Sequence, residues 1–333
     1  MYRYSTVNMG ATLLLPVILT AALFATANNI NEQCQVHNER RITCSCIGNE
    51  EFFLPEDYNY KNVTSVSVTG CVSASLLYSS FPEADDLEEV IVQNISGSLN
   101  FDVFFASSRM KLLRLSNIGR IPRITSYTFT NLKAIDTLAI EDALIENLEE
   151  EFSYLNVSNF IMINVTIERV DWLNVSEKGT TLRIVNSELR NVKKTVNFAD
   201  FLNIEITGSK FEMQKPGLMS IQGDVAVVRS SVFSNVSMNL VTTSSIVING
   251  ICADGKSTLR LSSERIDSTD NRLPNEIAYP GGDQRGSEFF MIRNNTVCKA
   301  GNCKCSKSSG QASCQTILIY ILLLTESIII HYM

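Results

Sequence analysis

Phe160-Ile161-Met162, Leu182-Arg183-Ile184 and Ile204-Glu205-Ile206 recur at steps of 22 residues, each an apolar pair around one variable residue. Toward the N-terminus the same core continues as Leu138-Ala139-Ile140, Leu113-Arg114-Leu115, Val90-Ile91-Val92 and Val66-Ser67-Val68. Toward the C-terminus it continues as Val225-Ala226-Val227 and Ile246-Val247-Ile248. All eighteen flanking positions are apolar in a chain whose hydrophobic fraction is 45%, so composition alone does not produce the series. Period-two alternation over three to five residues is a strand with one side on a core. Steps of 21 to 25 residues match one turn of a solenoid, in which no turn can bury its apolar side alone. The expected fold is a β-solenoid of about nine turns, a single rod of roughly 40 Å at about 4.8 Å per turn. A second column stands three residues before each core: Val63, Leu87, Met110, Ile135, Val157 and Phe201, broken at Gly179, Gln222 and Thr243.

Both ends of the chain read as addresses. Arg3 precedes an apolar run from Ala11 to Phe24, and Ala25-Thr26-Ala27 offers small residues for signal-peptidase cleavage, so residues 1–27 are an expected signal peptide. Ile317 to Met333 is a second apolar run with no basic residue after it. A retained span keeps Lys or Arg on its cytoplasmic side. A glycosylphosphatidylinositol signal has small residues, a polar spacer and a removable tail, which fits attachment at Ser308, or at Ser306, with 309–333 cut away. A type I span and plain secretion are the alternatives. Nine cysteines become eight when Cys314 leaves with the tail: Cys34, Cys44, Cys46, Cys71, Cys252, Cys298, Cys303 and Cys305. None falls between Cys71 and Cys252, so disulfides are expected to close the two ends of a rod held in its middle by burial. The division is a cysteine-rich cap at 28–71 running into the first turn, repeats at 63–253, and a polar, cysteine-bearing cap at 254–308.

The run Leu113-Arg-Leu115-Ser-Asn117-Ile118, then Ile124, Phe129 and Leu132, then Leu138-Ala-Ile140, Leu144-Ile145, Leu148, Phe152 and Leu155 resembles extracellular leucine-rich repeats. In that family a strand is followed by a turn and an apolar return segment. Cys34 to Cys71 is similar to the family's N-terminal cap, and that resemblance implies Cys34 with Cys46 and Cys44 with Cys71. The C-terminal four are expected to pair among themselves. The family's strand-closing asparagine has counterparts in Asn94, Asn117, Asn164 and Asn186, but Gly70, Asp142, Gly208, Arg229 and Gly250 stand there elsewhere. Past about Val175 the likeness fades. Ile184-Val-Asn-Ser-Glu-Leu189, Ile206-Thr-Gly-Ser-Lys-Phe211 and Val227-Val-Arg-Ser-Ser-Val232 read equally well as coils of a right-handed parallel β-helix.

Sequons stand at Asn62, Asn156, Asn174, Asn235 and Asn294, and at Asn94 and Asn164, where a buried asparagine ladder would keep the last two unmodified. A net charge of −7 with no basic stripe argues against nucleic acid as a partner. Because many β-helices cleave polysaccharide, paired acids on adjacent strand faces would point to catalysis. Only Glu141, Glu205 and Asp224 lie near the strand cores, without pairing turn to turn, while Asp85-Asp86 and Glu149-Glu150-Glu151 fall between strands. The two histidines are His37 in the cap and His331 in the tail. Cys44-Ser-Cys46 and Cys303-Lys-Cys305 suit disulfides better than metal in an oxidising compartment. No enzyme, metal or cofactor is expected. What remains is a surface: outward positions include Ile161, Ile163, Val185, Ala226, Val228 and Val247 interleaved with Arg183, Glu205 and Arg229. Such a strip fits a protein partner or a second copy of the chain, unless the chain's own loops or the stretch 254–296 cover it. The expected role is recognition at the cell surface, in adhesion, signalling or matrix organisation. A secreted polysaccharide-cleaving β-helix and a structural glycoprotein of an extracellular layer are the other readings.

Overall fold

The computed structural model describes residues 28–29, 33–46, 51–54, 58–76, 84–101, 109–125, 128–129, 132–149, 155–175, 178–279, 289–298, 303 and 305. The expected signal peptide, the anchor serines Ser306 and Ser308 and the apolar tail lie outside them. Among the described residues every regular element is a strand, and from Arg41 onward the pairings are parallel. The chain is a parallel β-solenoid with a continuous apolar interior.

The repeat column forms its first face. Leu138 pairs with Phe160, Phe160 with Leu182 and Leu182 with Ile204, with Ile140, Met162, Ile184 and Ile206 in the parallel register two residues on. All eight are at most 5% exposed. The column runs past both expected ends: Ile42-Thr43-Cys44 pairs ahead of Val66-Ser67-Val68, and Ile266-Asp267-Ser268 and Phe290-Met291-Ile292 follow Ile246-Val247-Ile248. The stretch from Asp254 is therefore not simply a polar cap; its strands Thr258–Ser262, Arg265–Thr269 and Phe290–Arg293 continue the solenoid.

One turn corrects the expected register. Ala226 pairs with Ile204 and Ile246, and Val228 pairs with Ile206 and Ile248, so Ala226 and Val228 point inward at 0% exposure. Val225 and Val227 face outward and are half-buried. Four small apolar residues in a row satisfy period two in either phase, and the neighbouring strands choose the phase.

The correction also resolves the mixed residues after each strand. Gly70, Asn94, Asn117, Asp142, Asn164, Asn186, Gly208, Ser230, Gly250, Asp270 and Asn294 all have positive φ, between 46° and 73°. With the proper register Ser230 replaces Arg229 in this column. Left-handed backbone turns the chain sharply from the first face to the second, and Gly, Asn and Asp tolerate it best. The column is thus a backbone requirement that several residue types meet. Replacing Asn186 with Ala should cost about 1 kcal/mol, whereas Asn186→Gly should change stability by a few tenths. Urea unfolding of the two variants checks this.

Beyond the corner, Ile145, Ile167, Leu189, Phe211 and Phe233 line the second face, with Phe211 and Phe233 stacked at 5.4 Å between centroids. A third face forms where return segments were expected. Leu173 pairs with Val196, Val196 with Met219, Met219 with Met238 and Met238 with Leu259, while Val175, Phe198, Ile221, Leu240 and Leu261 keep the register two residues on. The second half of the rod therefore has strands on three sides. At Gly179 a side chain would meet the ring of Phe201 one turn on, so the break in the second column is a small residue yielding its space to a large neighbour.

A buried polar ladder lies inside the corner. Ser187, Ser209 and Ser231 follow the corner residues and are 0 to 1% exposed. Each Oγ accepts the backbone N–H of the post-corner residue one turn back: Val165 to Ser187 at 3.1 Å, Ser187 to Ser209 at 3.1 Å, and Ser209 to Ser231 at 3.2 Å. Asn271 and Asn295 do the same for Ile251 and Asn271, both at 3.0 Å. A sharp corner tilts these N–H groups away from the carbonyl ladder, and side-chain oxygens satisfy donors that burial would otherwise orphan. The expectation of a buried ladder at Asn94 and Asn164 is overturned, since both are exposed; the buried polar column stands one position past the corner, from Ser187 onward.

The ends are closed by disulfides. At the N-terminus, Cys34–His37 and Arg41–Ser45 form an antiparallel hairpin with Cys34 opposite Cys44, and those two are bonded. Cys46, past the strand end, bonds to Cys71 just after the Gly70 corner of the next turn. The pairing implied by resemblance, Cys34 with Cys46 and Cys44 with Cys71, is overturned, because hairpin register puts Cys34 against Cys44. The C-terminal four pair among themselves as expected, Cys252 with Cys305 and Cys298 with Cys303.

Candidate functional site

The outer side of the first face brings together five of the six residues expected to meet a partner. Ile161, Arg183 and Glu205 are laterally paired across three turns, and Val227 and Val247 extend that row. Ile163 and Val185 form the row beside it. Ile161, Ile163, Val185, Val225, Val227 and Val247 are all half-buried. Val228 does not belong, since it is in the core, and Val225 and Val227 are the surface residues that the shifted register concealed. The result is two aliphatic patches, Ile161, Ile163 and Val185 on one side and Val225, Val227 and Val247 on the other. Between them Arg183 Nε lies 3.0 Å from Glu205 Oε2. Both side chains of that pair are nearly half exposed, so it contributes at most about 1 kcal/mol to stability, and its charges stay available at the surface.

The acids considered for hydrolysis are held by neighbours. Arg114 Nη2 is 2.6 Å from Glu141 Oε2, and Glu205 is bound to Arg183. Asp224 lies at the entry to the first face, where hydrogen bonds from Ser244 and Thr243 hydroxyls hold its carboxyl below the usual carboxylate range. A carboxylate poised as a general acid needs its proton retained near neutral pH, the opposite tendency. Among the described residues no group of three His, Cys, Asp or Glu side chains could hold a metal. No described helix is long and apolar enough to cross a membrane.

Sequons lie at the edges of the first face or on other faces. Asn94, Asn164 and Asn294 sit on the left-handed corner at its downstream edge, and all three are exposed. Asn62 and Asn156 lie on its upstream side, Asn62 in the turn before Val63 and Asn156 at the start of the strand Asn156–Val170. Asn174 is on the third face, half-buried. Asn235, also at positive φ, receives the Lys256 N–H on Oδ1 at 3.2 Å. On the exposed corner Asn117 Nδ2 donates to Asn94 Oδ1 at 2.8 Å and Asn164 Nδ2 to Asp142 Oδ1 at 2.7 Å. Asn94 accepts in the first bond through its oxygen, and at Asn164 a glycan replaces one amide hydrogen and leaves the other for the second bond, so occupancy at both is compatible with these corner contacts.

These features define the molecule as a disulfide-closed parallel β-solenoid with a strand face of mixed aliphatic and charged character. No family model matches the chain, and neither the curated proteins nor the solved structures yield a match.

Proposed function

We propose that the chain is a cell-surface glycoprotein that acts by protein–protein recognition through the first strand face, in adhesion, signalling or matrix organisation. The observation that carries this reading is the pair of half-buried aliphatic patches flanking Arg183 and Glu205 on a parallel sheet, with every sequon at its edges or on other faces. Apolar area supplies affinity and the central charge pair supplies register. Four disulfides fit an oxidising, extracellular compartment. Attachment through a glycosylphosphatidylinositol anchor at Ser308, or at Ser306, rests on the tail composition; release of the protein from cells by a phosphatidylinositol-specific phospholipase tests it.

Likeness to leucine-rich repeats rests on the first half of the chain. The three-sided strand pattern of the second half favours a parallel β-helix as the nearer architecture there. The protein partner is another surface or matrix protein, or a second copy of this chain. Ile161→Asp with Ile163→Asp places two charges on one patch while leaving the interior untouched. The thermal midpoint should stay within a few degrees, and association, by sedimentation for self-association and by capture on partner-bearing cells, should fall at least about tenfold. Unchanged association in both assays would remove the first face from the proposal.

A further inference from the structure

The corner between the second and third faces holds a cavity of about 260 Å³ lined by Trp172, Asn174, Lys194 and Thr195. That is just under the ~300–1,000 Å³ range of drug-sized ligands and in the size class of one sugar ring. Trp172-Leu173-Asn174-Val175-Ser176 contains a sequon with an aromatic residue two positions ahead. Leu173 and Val175 point inward at 0 and 1% exposure, so strand alternation directs Asn174 to the outside of the third face, on the side of Trp172. Lys194 Nζ lies 3.8 Å from the indole centroid. Trp172 Nε1 is buried, so the indole meets the cavity through its carbon atoms, and Asn174 Oδ1 accepts from Asn197 Nδ2 at 2.7 Å, which fixes the amide.

We infer that Asn174 carries an N-glycan whose first N-acetylglucosamine is seated in this cavity against the indole of Trp172. The C–H groups of a pyranose can pack against the part of the indole that Lys194 leaves open, and the Lys194 ammonium and Thr195 hydroxyl line the same cavity, where they can meet its hydroxyls. Attachment forms one Nδ2–C1 bond in place of an Nδ2–H bond; the donor is a diphosphate-linked oligosaccharide, its diphosphate leaves, and the amide proton passes to solvent. Because Asn197 uses only the Asn174 carbonyl oxygen, the modification does not break that contact. Asn62 lies in an exposed turn and serves as the reference site.

The inference rests on the chain being a secreted glycoprotein, and the experiment separates the two. Full-length protein from secretory cells is mapped by glycopeptide mass spectrometry and then treated, natively, with a peptide-N-glycosidase. Release at Asn174 should be roughly three- to tenfold slower than at Asn62, the factor an aromatic contact supplies, and Trp172→Ala should bring the two rates together. Trp172 is the single tryptophan of the chain, so its fluorescence reads the site directly. Acrylamide quenching should rise after deglycosylation, and Ser176→Ala, which removes the sequon and leaves both Asn174 and Trp172, should show the raised quenching from the start. A bare Asn174 beside occupied Asn62 and Asn294 overturns the seat alone. An occupied Asn174 released as fast as Asn62, with quenching indifferent to the glycan, also overturns it. A chain unglycosylated at every sequon overturns both the seat and the secreted reading.

Discussion

Val228→Asp should unfold the protein or lower its stability by at least about 4 kcal/mol, while Val227→Asp, one residue away, should leave stability within about 1 kcal/mol of the parent. The chemistry of the two substitutions is identical and only the side of the strand differs. Val228 is fully buried between Ile206 and Ile248, so an aspartate there loses hydration with no cation or donor to replace it. The group would meet that penalty by staying protonated or by opening the turn, and either route costs several kcal/mol. Val227 lies between Glu205 and Val247 on the outer row, half-exposed, where a carboxylate keeps water. It adds a charge beside Glu205, whose partner Arg183 sits one turn further along, so repulsion is small and screened. Denaturant midpoints of the two variants decide the matter: equal destabilisation, or the reverse order, would put the wrong side of this strand in the core. Val227→Asp should also weaken partner association, because it charges the second aliphatic patch.

The same two residues mark the boundary of what the chain discloses without its structure. The column was legible because Leu113-Arg114-Leu115, Leu182-Arg183-Ile184 and Ile204-Glu205-Ile206 alternate apolar with charged side chains, which leaves one phase there and fixes the step for turns such as Phe160-Ile161-Met162. Val225-Ala226-Val227-Val228 offers no such contrast, and the phase there is set by pairing with Ile204 and Ile246, information that lies 20 or more residues away. Once the phase slips, Arg229 appears at the corner in place of Ser230, and the corner column seems more irregular than it is. Ile266-Asp267-Ser268 escaped an apolar filter for a different reason. Ser268 fills an inward slot while accepting from Asn271 Nδ2 at 3.2 Å and Asn295 Nδ2 at 2.8 Å, so polarity is satisfied inside the core. The third face was hidden because its inward residues are unevenly spaced. Leu173, Val196, Met219, Met238 and Leu259 step by 23, 23, 19 and 21 residues, because the turn holding Lys215-Pro216-Gly217 carries residues that the following turn lacks. Of the outward positions expected on the first face, those on regular turns do face out, and the misplaced ones, Ala226 and Val228, came from the slipped turn. Cysteine pairing followed hairpin register rather than family likeness, and register is a property of backbone pairing that Cys34, Cys44, Cys46 and Cys71 do not themselves encode.

Asn271→Leu should destabilise the C-terminal turns by roughly 3–5 kcal/mol despite conserving side-chain volume and adding apolar surface. Asn271 is 1% exposed and uses both ends of its amide. Its Oδ1 accepts the Ile251 N–H at 3.0 Å, and its Nδ2 donates to Ile248 O at 3.3 Å and to Asn295 Oδ1 at 2.9 Å. Leucine removes all of these at once, leaves the buried Ile251 N–H without this acceptor at about 1–3 kcal/mol, and sets hydrocarbon against the Ile248 carbonyl and the Asn295 amide. Hydrophobic gain is small because the site is already dry. Ser209→Ala is the milder counterpart further up the ladder, since it orphans the Ser187 N–H but adds no volume, and about 1–3 kcal/mol is expected. A solenoid transmits such a loss unevenly, because each turn leans only on its neighbours. Hydrogen exchange should therefore show protection lost from Ile248 to Val297 in Asn271→Leu while strands before Val185 remain protected. In Ser209→Ala the loss should centre on Val185 to Val232. Uniform loss along the whole rod in either variant would mean that the turns unfold as one unit, and that the ladder is not the local device the geometry describes.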